Sequence, residues 1–310
     1  MTQTDKTHRS GFACFVGRPN AGKSTLTNAL VGQKIAIASS KPQTTRHTVR
    51  GIVTREDGQL ILIDTPGLHK PRTLLGERLN TLVYDTWAEV DLIGVCLPAN
   101  ERIGPGDKHI LGEILKLKNK PTLVALATKI DTISKERLIS HLVDIDNVGK
   151  ELGIQWAAVV PVSAASGEQV DVVADVLLQN LPEGPVYYPD GEITDEPEET
   201  LIAELIREAA LEEVHEELPH SIAVMIDEIM PREDRPEDKP LTDVFATIVV
   251  ERDSQKGIII GHQGSRLKQI GSKARQSINS LLGTRVHLKL HVKVLKEWQK
   301  DTKHLGRLGF

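Results

Sequence analysis

Aromatic residues make up only 3% of this 310-residue chain, so aliphatic side chains must carry most of any core. Cysteine is scarcer still: Cys14 and Cys96 stand alone, inside the apolar stretches FACFVG and LIGVCLP. Two such thiols are expected to be buried and reduced, as in a cytosolic protein rather than a disulfide-stapled secreted one. No run of about 18 apolar residues occurs, which argues against a membrane-spanning helix. The first ten residues are polar and lack the apolar core of a secretion signal, so a cytoplasmic location is expected. No Cys/His spacing fits a zinc site, and His287 and His291 on one alternating segment read as strand-face residues.

The length predicts two domains, and 39% hydrophobic residues suffice for two cores. The formal charge of −5 would argue mildly against nucleic acid if it were spread evenly. It is not. Residues 1–189 carry +1, residues 190–239 carry −14, residues 240–255 carry −2 and residues 256–310 carry +10. The C-terminal part is strongly dipolar.

Short apolar runs alternate with helical patterns through the first 180 residues, the pattern of a doubly wound α/β domain with a mostly parallel sheet. Strands are predicted at 12–16, 49–54, 60–63, 92–97, 122–127 and 157–162. Helices are predicted at 24–31, 76–87, 108–118, 135–150 and 170–179. The Asp57-Gly58 pair predicts a hairpin between the second and third strands, hence one antiparallel pair. The proline and glycine cluster from Leu181 to Gly191 reads as a linker. The expected boundaries are 1–183 for the first domain, 184–199 for the linker and 200–310 for a smaller α+β domain. There a helix from about residue 200 precedes strands at 221–229 and 243–252, a helical segment to Leu282 and a strand at 285–294. The acidic proline loop Pro231–Pro240 lies between the first two of those strands.

Gly17-Arg18-Pro19-Asn20-Ala21-Gly22-Lys23-Ser24, continued by Thr25, satisfies G-x-x-x-x-G-K-[ST] between a predicted strand and a predicted helix. Glycines let backbone N–H groups wrap phosphates, Lys23 reaches the outer phosphates and the Ser24 hydroxyl ligates Mg²⁺. Asp64-Thr65-Pro66-Gly67 ends the third strand, where Asp64 can hold Mg²⁺ and the Gly67 N–H can meet a γ-phosphate. Thr128-Lys129-Ile130-Asp131 follows the fifth strand, and Ser163-Ala164-Ala165 the sixth. All four motifs fall at the carboxyl ends of strands, where open α/β sheets bind ligands.

The series resembles the translation-factor-type GTPases. In that superfamily an Asn-Lys-x-Asp motif selects guanine, and Asp131 matches its Asp. Thr128 replaces the usual Asn, which puts one supporting hydrogen bond in doubt. The polar loop Ser39–Arg46 corresponds to the first switch, whose threonine reaches Mg²⁺ and the γ-phosphate; the sequence leaves Thr44 and Thr45 both open. Leu68 stands where many GTPases carry a water-orienting Gln, so intrinsic hydrolysis is expected to be slow. In similar GTPases an Asn at the position of Asn20 can ligate K⁺, which neutralises transition-state charge. Lys23, Asn20, Gly67 and the switch threonine thus form the implied hydrolytic set, with GTP/GDP and Mg²⁺ as cofactors. His69 reads as a surface residue of the second switch.

Gly261-His262-Gln263-Gly264 follows Ile258-Ile259-Ile260 and precedes Leu267, Ile270, Ala274, Ile278 and Leu281 at helical spacing. An apolar turn, G-x-x-G, an amphipathic helix and a strand make the KH pattern, whose loop clamps about four nucleotides of single-stranded RNA. Lys256, Arg266, Lys268, Lys273 and Arg275 supply positive charge around it. A P-loop GTPase domain followed by a KH domain resembles the Era-type GTPases over nearly the whole chain. That resemblance implies binding to the 3′ end of small-subunit (16S) ribosomal RNA and a role in maturing the small ribosomal subunit. It also implies peripheral contact with the inner face of the cell membrane, although no amphipathic anchor is evident. Nothing points to an obligate dimer, and a monomer is expected.

Overall fold

The computed structural model of the chain describes residues 8–39, 44–68, 71–214, 221–232, 236 and 240–310. Of the positions singled out above, Ser40, Lys41, Pro42, Gln43, His69 and most of the 231–240 loop lie outside the described residues. Packing divides the chain into two units. The first holds residues 8–36, 45–68 and 79–195; the second holds the described parts of 37–44, 71–78 and 196–310.

In chain order the first part comprises β1 (Arg9–Val16), α1 (Lys23–Val31), β2 (Val49–Arg55), β3 (Gly58–Asp64), α2 (Leu74–Glu89), β4 (Leu92–Pro98), α3 (Pro105–Leu115), β5 (Thr122–Thr128), α4 (Lys135–Leu152), β6 (Ala158–Val162) and α5 (Val170–Gln179). The sheet order is β2-β3-β1-β4-β5-β6, with β2 antiparallel to β3 and every other pair parallel. Period-2 alternation along β1 builds both faces. Ala13 and Phe15 join Leu26 and Leu30 of α1 and Val173 and Leu177 of α5. Cys14 and Val16 join Val83 and Trp87 of α2, Leu111 of α3 and Ile145 of α4. Cys14 and Cys96 therefore belong to opposite faces, and both are free thiols. Burial raises both pKa values, that of Cys96 to about 12, so neither is a reactive thiolate.

Helix α3 starts three residues before the predicted 108 and ends three before 118. Pro105 occupies its first turn, and the Asp107 carboxylate accepts the Gly104 N–H at 2.8 Å. That cap sets the start, and apolar periodicity alone does not see it. Residues 184–195 run along the first unit: Gln59 accepts the Tyr187 and Tyr188 N–H groups, and the Ile193 carbonyl accepts the Ile52 N–H.

The second unit contains α6 (Glu198–Glu212), β7 (Ala223–Pro231), β8 (Leu241–Val250), α7 (Asp253–Ile260), α8 (Ser265–Leu282), β9 (Arg285–Val294) and α9 (Thr302–Arg307). Strand β8 pairs antiparallel with β7 and parallel with β9. Parallel neighbours need a crossover, which α7 and α8 supply. Ile202 and Ile206 of α6, Val244 and Ile248 of β8, and Ile270, Ala274 and Ile278 of α8 form the core, joined by Ile37. The predicted helical segment before Leu282 is two helices, broken at Gly261–Gly264, and Ile258–Ile260 is the last turn of α7. Helix α9 has no signature in the sequence, since six residues carry no periodicity. The Asp301 carboxylate caps it, accepting from the N–H groups of Lys303 and His304, while Trp298 is buried and stacks on Phe310.

Candidate nucleotide site and nucleic-acid interface

The P-loop runs from the end of β1 into α1, and its backbone needs conformations that most residues resist. Gly17 has φ 155°, Asn20 φ 62° and Gly22 φ 93°. A Cβ on Gly17 would lie 2.6 Å from the Cys96 carbonyl, so only glycine fits against β4. The Lys23 side chain is half-buried, and its ammonium donates to the Gly17 and Arg18 carbonyls, both at 3.0 Å. Burial lowers its pKa, while the Asp64 carboxylate acts in the opposite direction. A Cβ on Gly67 would stand 3.9 Å from Lys23 Nζ, which places the Gly67 backbone beside the lysine. Arg18 points away into α3, donating to Asp107 at 2.8 Å and pairing with Glu101 at 2.9 Å. Its side chain thus braces the loop, an arrangement its place in the motif does not reveal.

Asp64 ends β3 and is 1% exposed. Its Oδ2 accepts from Ser24 Oγ at 2.9 Å and from Thr45 Oγ1 at 3.2 Å, and the two hydroxyls are 3.2 Å apart. The structure brings Thr45, not Thr44, to this cluster; the Thr44 hydroxyl donates instead to the Ser39 carbonyl. Asp64 Oδ1 is buried with no hydrogen-bond partner among the described residues. Burial raises the Asp64 pKa to about 6, although Ser24, Lys23 and Thr45 hold it down. A buried carboxylate with an orphaned oxygen, ringed by hydroxyl oxygens, is the donor set of a hard divalent cation, and Mg²⁺ fits it.

Where β5 and β6 end, two hydrogen bonds organise the base end. Thr128 Oγ1, buried, donates to the Ala21 carbonyl at 2.7 Å. The hydroxyl that stands in place of the usual Asn thus bonds directly to the P-loop. Ser163 Oγ donates to Asp131 Oδ1 at 2.6 Å and accepts the Ser166 N–H. Lys129 adopts φ 60°, the turn that swings Asp131 out of the strand. Thr65 and Pro66 are buried beside Asp64, Ala164 is half-buried and Ala165 exposed. Leu68 packs against the core on the α2 side.

In the second unit the G-x-x-G loop joins α7 to α8. Gly261, Gln263 and Gly264 all have positive φ, at 71°, 50° and 78°. His262 and Gln263 are exposed. The buried face of α8 is Ile270, Ala274 and Ile278, leaving Lys268, Lys273 and Arg275 exposed. Two of the expected basic contacts are already engaged. Arg266 donates to the Ile258 carbonyl at 2.6 Å, which clamps the last turn of α7 beside the loop. Lys273 pairs with Glu212 at 3.2 Å and Glu213 at 2.6 Å, which raises its pKa. These pairs are solvent-exposed and worth under about 1 kcal/mol, weak enough for phosphate to displace. Lys256 is half-buried.

Residues 12–129 match the model of the 50S ribosome-binding GTPase family, and residues 217–299 match that of the KH domain. The chain is 66% identical to the GTPase Era of Streptomyces coelicolor, over 98% of this chain and 95% of that protein. It is 64% identical to the GTPase Era of Mycolicibacterium paratuberculosis, over 97% and 99%. The chain belongs to the Era family of GTPases. Among solved structures, Era in complex with MgGDPNP and nucleotides 1506–1542 of 16S ribosomal RNA superposes with a TM-score of 0.90. That protein is 37% identical, with 97% of this chain and 99% of that chain covered. An Aquifex aeolicus Era variant bound to GDP and AlF4⁻ gives 0.89 at 36% identity, over 97% and 99%. As a member of the Era family the chain is a GTPase that hydrolyses GTP to GDP and phosphate, with a C-terminal KH domain.

Proposed function

We propose that this Era-family GTPase is a Mg²⁺-dependent switch that binds small-subunit ribosomal RNA near its 3′ end and assists maturation of that subunit. A GTPase domain of residues 1–183 is joined through 184–199 to an RNA-binding KH domain of residues 200–310. The single observation that carries the RNA reading is the open Gly261–Gly264 loop at the N-terminus of α8, flanked by exposed basic side chains. The solved Era bound to nucleotides 1506–1542 of 16S ribosomal RNA supports it from a relative.

In the nucleotide site, backbone N–H groups of the Gly17–Ser24 loop, Pro19 excepted, bind phosphates, Lys23 meets the outer ones, and Asp131 held by Ser163 reads guanine. Ser24, Asp64 and Thr45 would hold Mg²⁺, which supplies charge neutralisation at the transferring phosphoryl group. Gly67 offers its N–H to the γ-phosphate. Leu68 cannot orient a water, so hydrolysis is slow, and Asn20 recruits K⁺ as a substitute positive charge. Turnover of GTP in K⁺ is expected to exceed that in Na⁺ at equal ionic strength; equal rates would remove the K⁺ role.

The protein works as a monomer in the cytoplasm, with peripheral membrane contact by family resemblance. No described helix is long and apolar enough to cross a membrane. Crosslinking in cells followed by sequencing of bound RNA tests the destination. Reads concentrated near the 3′ end of the small-subunit RNA are expected, whereas diffuse reads would defeat the ribosomal assignment.

A further inference from the structure

The Arg18 side chain leaves the phosphate loop and crosses the first turn of α3. Its Nε donates to Asp107 Oδ1 at 2.8 Å, and its Nη2 pairs with Glu101 at 2.9 Å and reaches the Arg102 carbonyl at 3.5 Å. Asp107 is only 3% exposed, and its other carboxylate oxygen accepts the Gly104 N–H at 2.8 Å. The anchor is therefore itself fixed in the cap of α3. Glu101 follows a turn held from α4 and β5: Arg137 donates to the Ala99 and Asn100 carbonyls, and the Thr128 carbonyl accepts the Ala99 N–H. Gly106 leaves room for the crossing, since a Cβ there would meet Arg18 Cδ at 2.9 Å. All of these contacts lie within the first unit.

The backbone of the same residue faces the site. The Arg18 carbonyl accepts Lys23 Nζ at 3.0 Å and the Ala21 N–H at 3.2 Å. On one side Gly17 abuts the Cys96 carbonyl; on the other, Pro19 disfavours helical torsions at Arg18. With its side chain clamped on α3, the residue is held from three directions, and its carbonyl with it. A glycine-bearing loop left free would sample many conformers, and that freedom is lost when its N–H groups converge on phosphate. Freedom already lost in folding is not lost again in binding.

We propose that Arg18 is a positioning residue for nucleotide, its guanidinium held by Asp107 so that the loop and the Arg18 carbonyl are set for Lys23 and the phosphates in advance. This deepens the reading above and rests on its assignment of the Gly17–Ser24 loop to phosphate. The gain applies to GDP and GTP alike, since both carry phosphates that this loop wraps. Nucleotide affinity is thereby linked to the first turn of α3, a helix that no nucleotide motif marks.

The test uses the full-length protein, with dissociation of a fluorescent GDP, KM and kcat for GTP, and thermal unfolding measured side by side. Arg18→Met is expected to speed GDP dissociation about tenfold and to raise KM comparably, with a smaller change in kcat. Arg18→Lys should recover part of the loss, because an ammonium reaches Asp107 but lacks the fork that also serves Glu101. Gly106→Leu fills the crossing and displaces Arg18 while keeping every charge. It should speed dissociation with a melting temperature at or above wild type, since leucine favours a helix over glycine. Asp107→Asn keeps an oxygen for the Gly104 N–H, and in that background Arg18→Met should add little further loss. Wild-type dissociation in folded Arg18→Met and Gly106→Leu would overturn the proposal and leave Arg18 as a brace of the fold. So would losses from Arg18→Met and Asp107→Asn that simply add. Lys23→Ala separates the two levels: if it leaves GDP affinity unchanged, the phosphate reading fails whatever Arg18 does.

Discussion

The Thr128 hydroxyl donates to the Ala21 carbonyl at 2.7 Å, bridging 107 residues of sequence to tie the end of β5 to the crown of the P-loop. A side chain shorter than asparagine makes this bond because Thr128 is the last residue of its strand, with its hydroxyl beside the loop. A Cβ built on Gly22 would lie 3.9 Å from that same hydroxyl, an ordinary van der Waals contact between the two segments.

Removing that hydroxyl isosterically tests its weight. Thr128→Val takes the donor from a buried carbonyl, which costs about 1–3 kcal/mol. GTP and GDP affinities are expected to fall together, by about tenfold or more, in equilibrium titrations with fluorescent nucleotide. A drop for GTP alone would instead tie Thr128 to the γ-phosphate end.

Guanine selection is expected to follow Asp131 and its orienting partner. In Asp131→Asn an amide donor replaces an acceptor, so preference should shift from guanine towards xanthine, whose 2-position bears a carbonyl. Ser163→Ala only frees the carboxylate to rotate, at a cost of about 1 kcal/mol, or roughly fivefold in affinity with selectivity retained. Competition by GTP, XTP and ATP against one labelled nucleotide reads both outcomes.

The buried Asp64 gives a pH signature in the metal-free protein. Its folded pKa is raised from 3.8 to about 6 by burial. The folded state therefore holds the proton more tightly than the unfolded chain. The associated stability is fully present below pH 4 and is lost as pH rises through 6, about 3 kcal/mol in all. Subtracting the unfolding profile of Asp64→Asn, measured in EDTA, isolates this term. Saturating Mg²⁺ and a non-hydrolysable GTP analogue should invert the trend, since the cation binds the carboxylate form.

The two glycines of the G-x-x-G loop should respond differently to substitution. A Cβ on Gly261 would meet Arg266 Cβ at 2.8 Å and its backbone N at 3.0 Å, whereas none lies within 4 Å at Gly264. Gly264→Asp is expected to cost only about 1–2 kcal/mol for its left-handed backbone, yet to abolish RNA binding by placing a carboxylate at the phosphate site. Gly261→Asp should also lower the melting temperature markedly. Filter binding of a 16S 3′-terminal fragment at several salt concentrations, beside thermal unfolding, distinguishes the loop's chemistry from its fold. Wild-type affinity should fall steeply with salt as neutralised phosphates take back counterions.

Both folds were legible in the sequence to within a few residues at most strands, because period-2 and helical spacing survive in long elements. The ends that differ are those set by side-chain caps, as at Asp107 for α3 and Asp301 for α9. At the nucleotide site the four motifs lie at the carboxyl ends of β1, β3, β5 and β6, as their order in the chain implied. The sequence does not reveal the side-chain partners. Arg18 turns to Asp107, and Lys273 to Glu212 and Glu213.

By itself the sequence determined the chemistry held in contiguous segments: the phosphate loop, the Asp-Thr-Pro-Gly and Thr-Lys-Ile-Asp turns, and the G-x-x-G loop. Each is a backbone conformation set largely by its own residues, with positive φ at Gly17, Gly22, Gly261 and Gly264 but also at Asn20, Lys129 and Gln263, and so is readable locally. Tertiary structure alone decided which of two adjacent threonines faces Asp64, and what completes the bond that Thr128 makes. Neighbouring residues in a loop have nearly equal local propensities, so the choice between Thr44 and Thr45 falls to a long-range contact. Asp64 on the Thr45 hydroxyl is that contact, and it comes from a remote part of the chain.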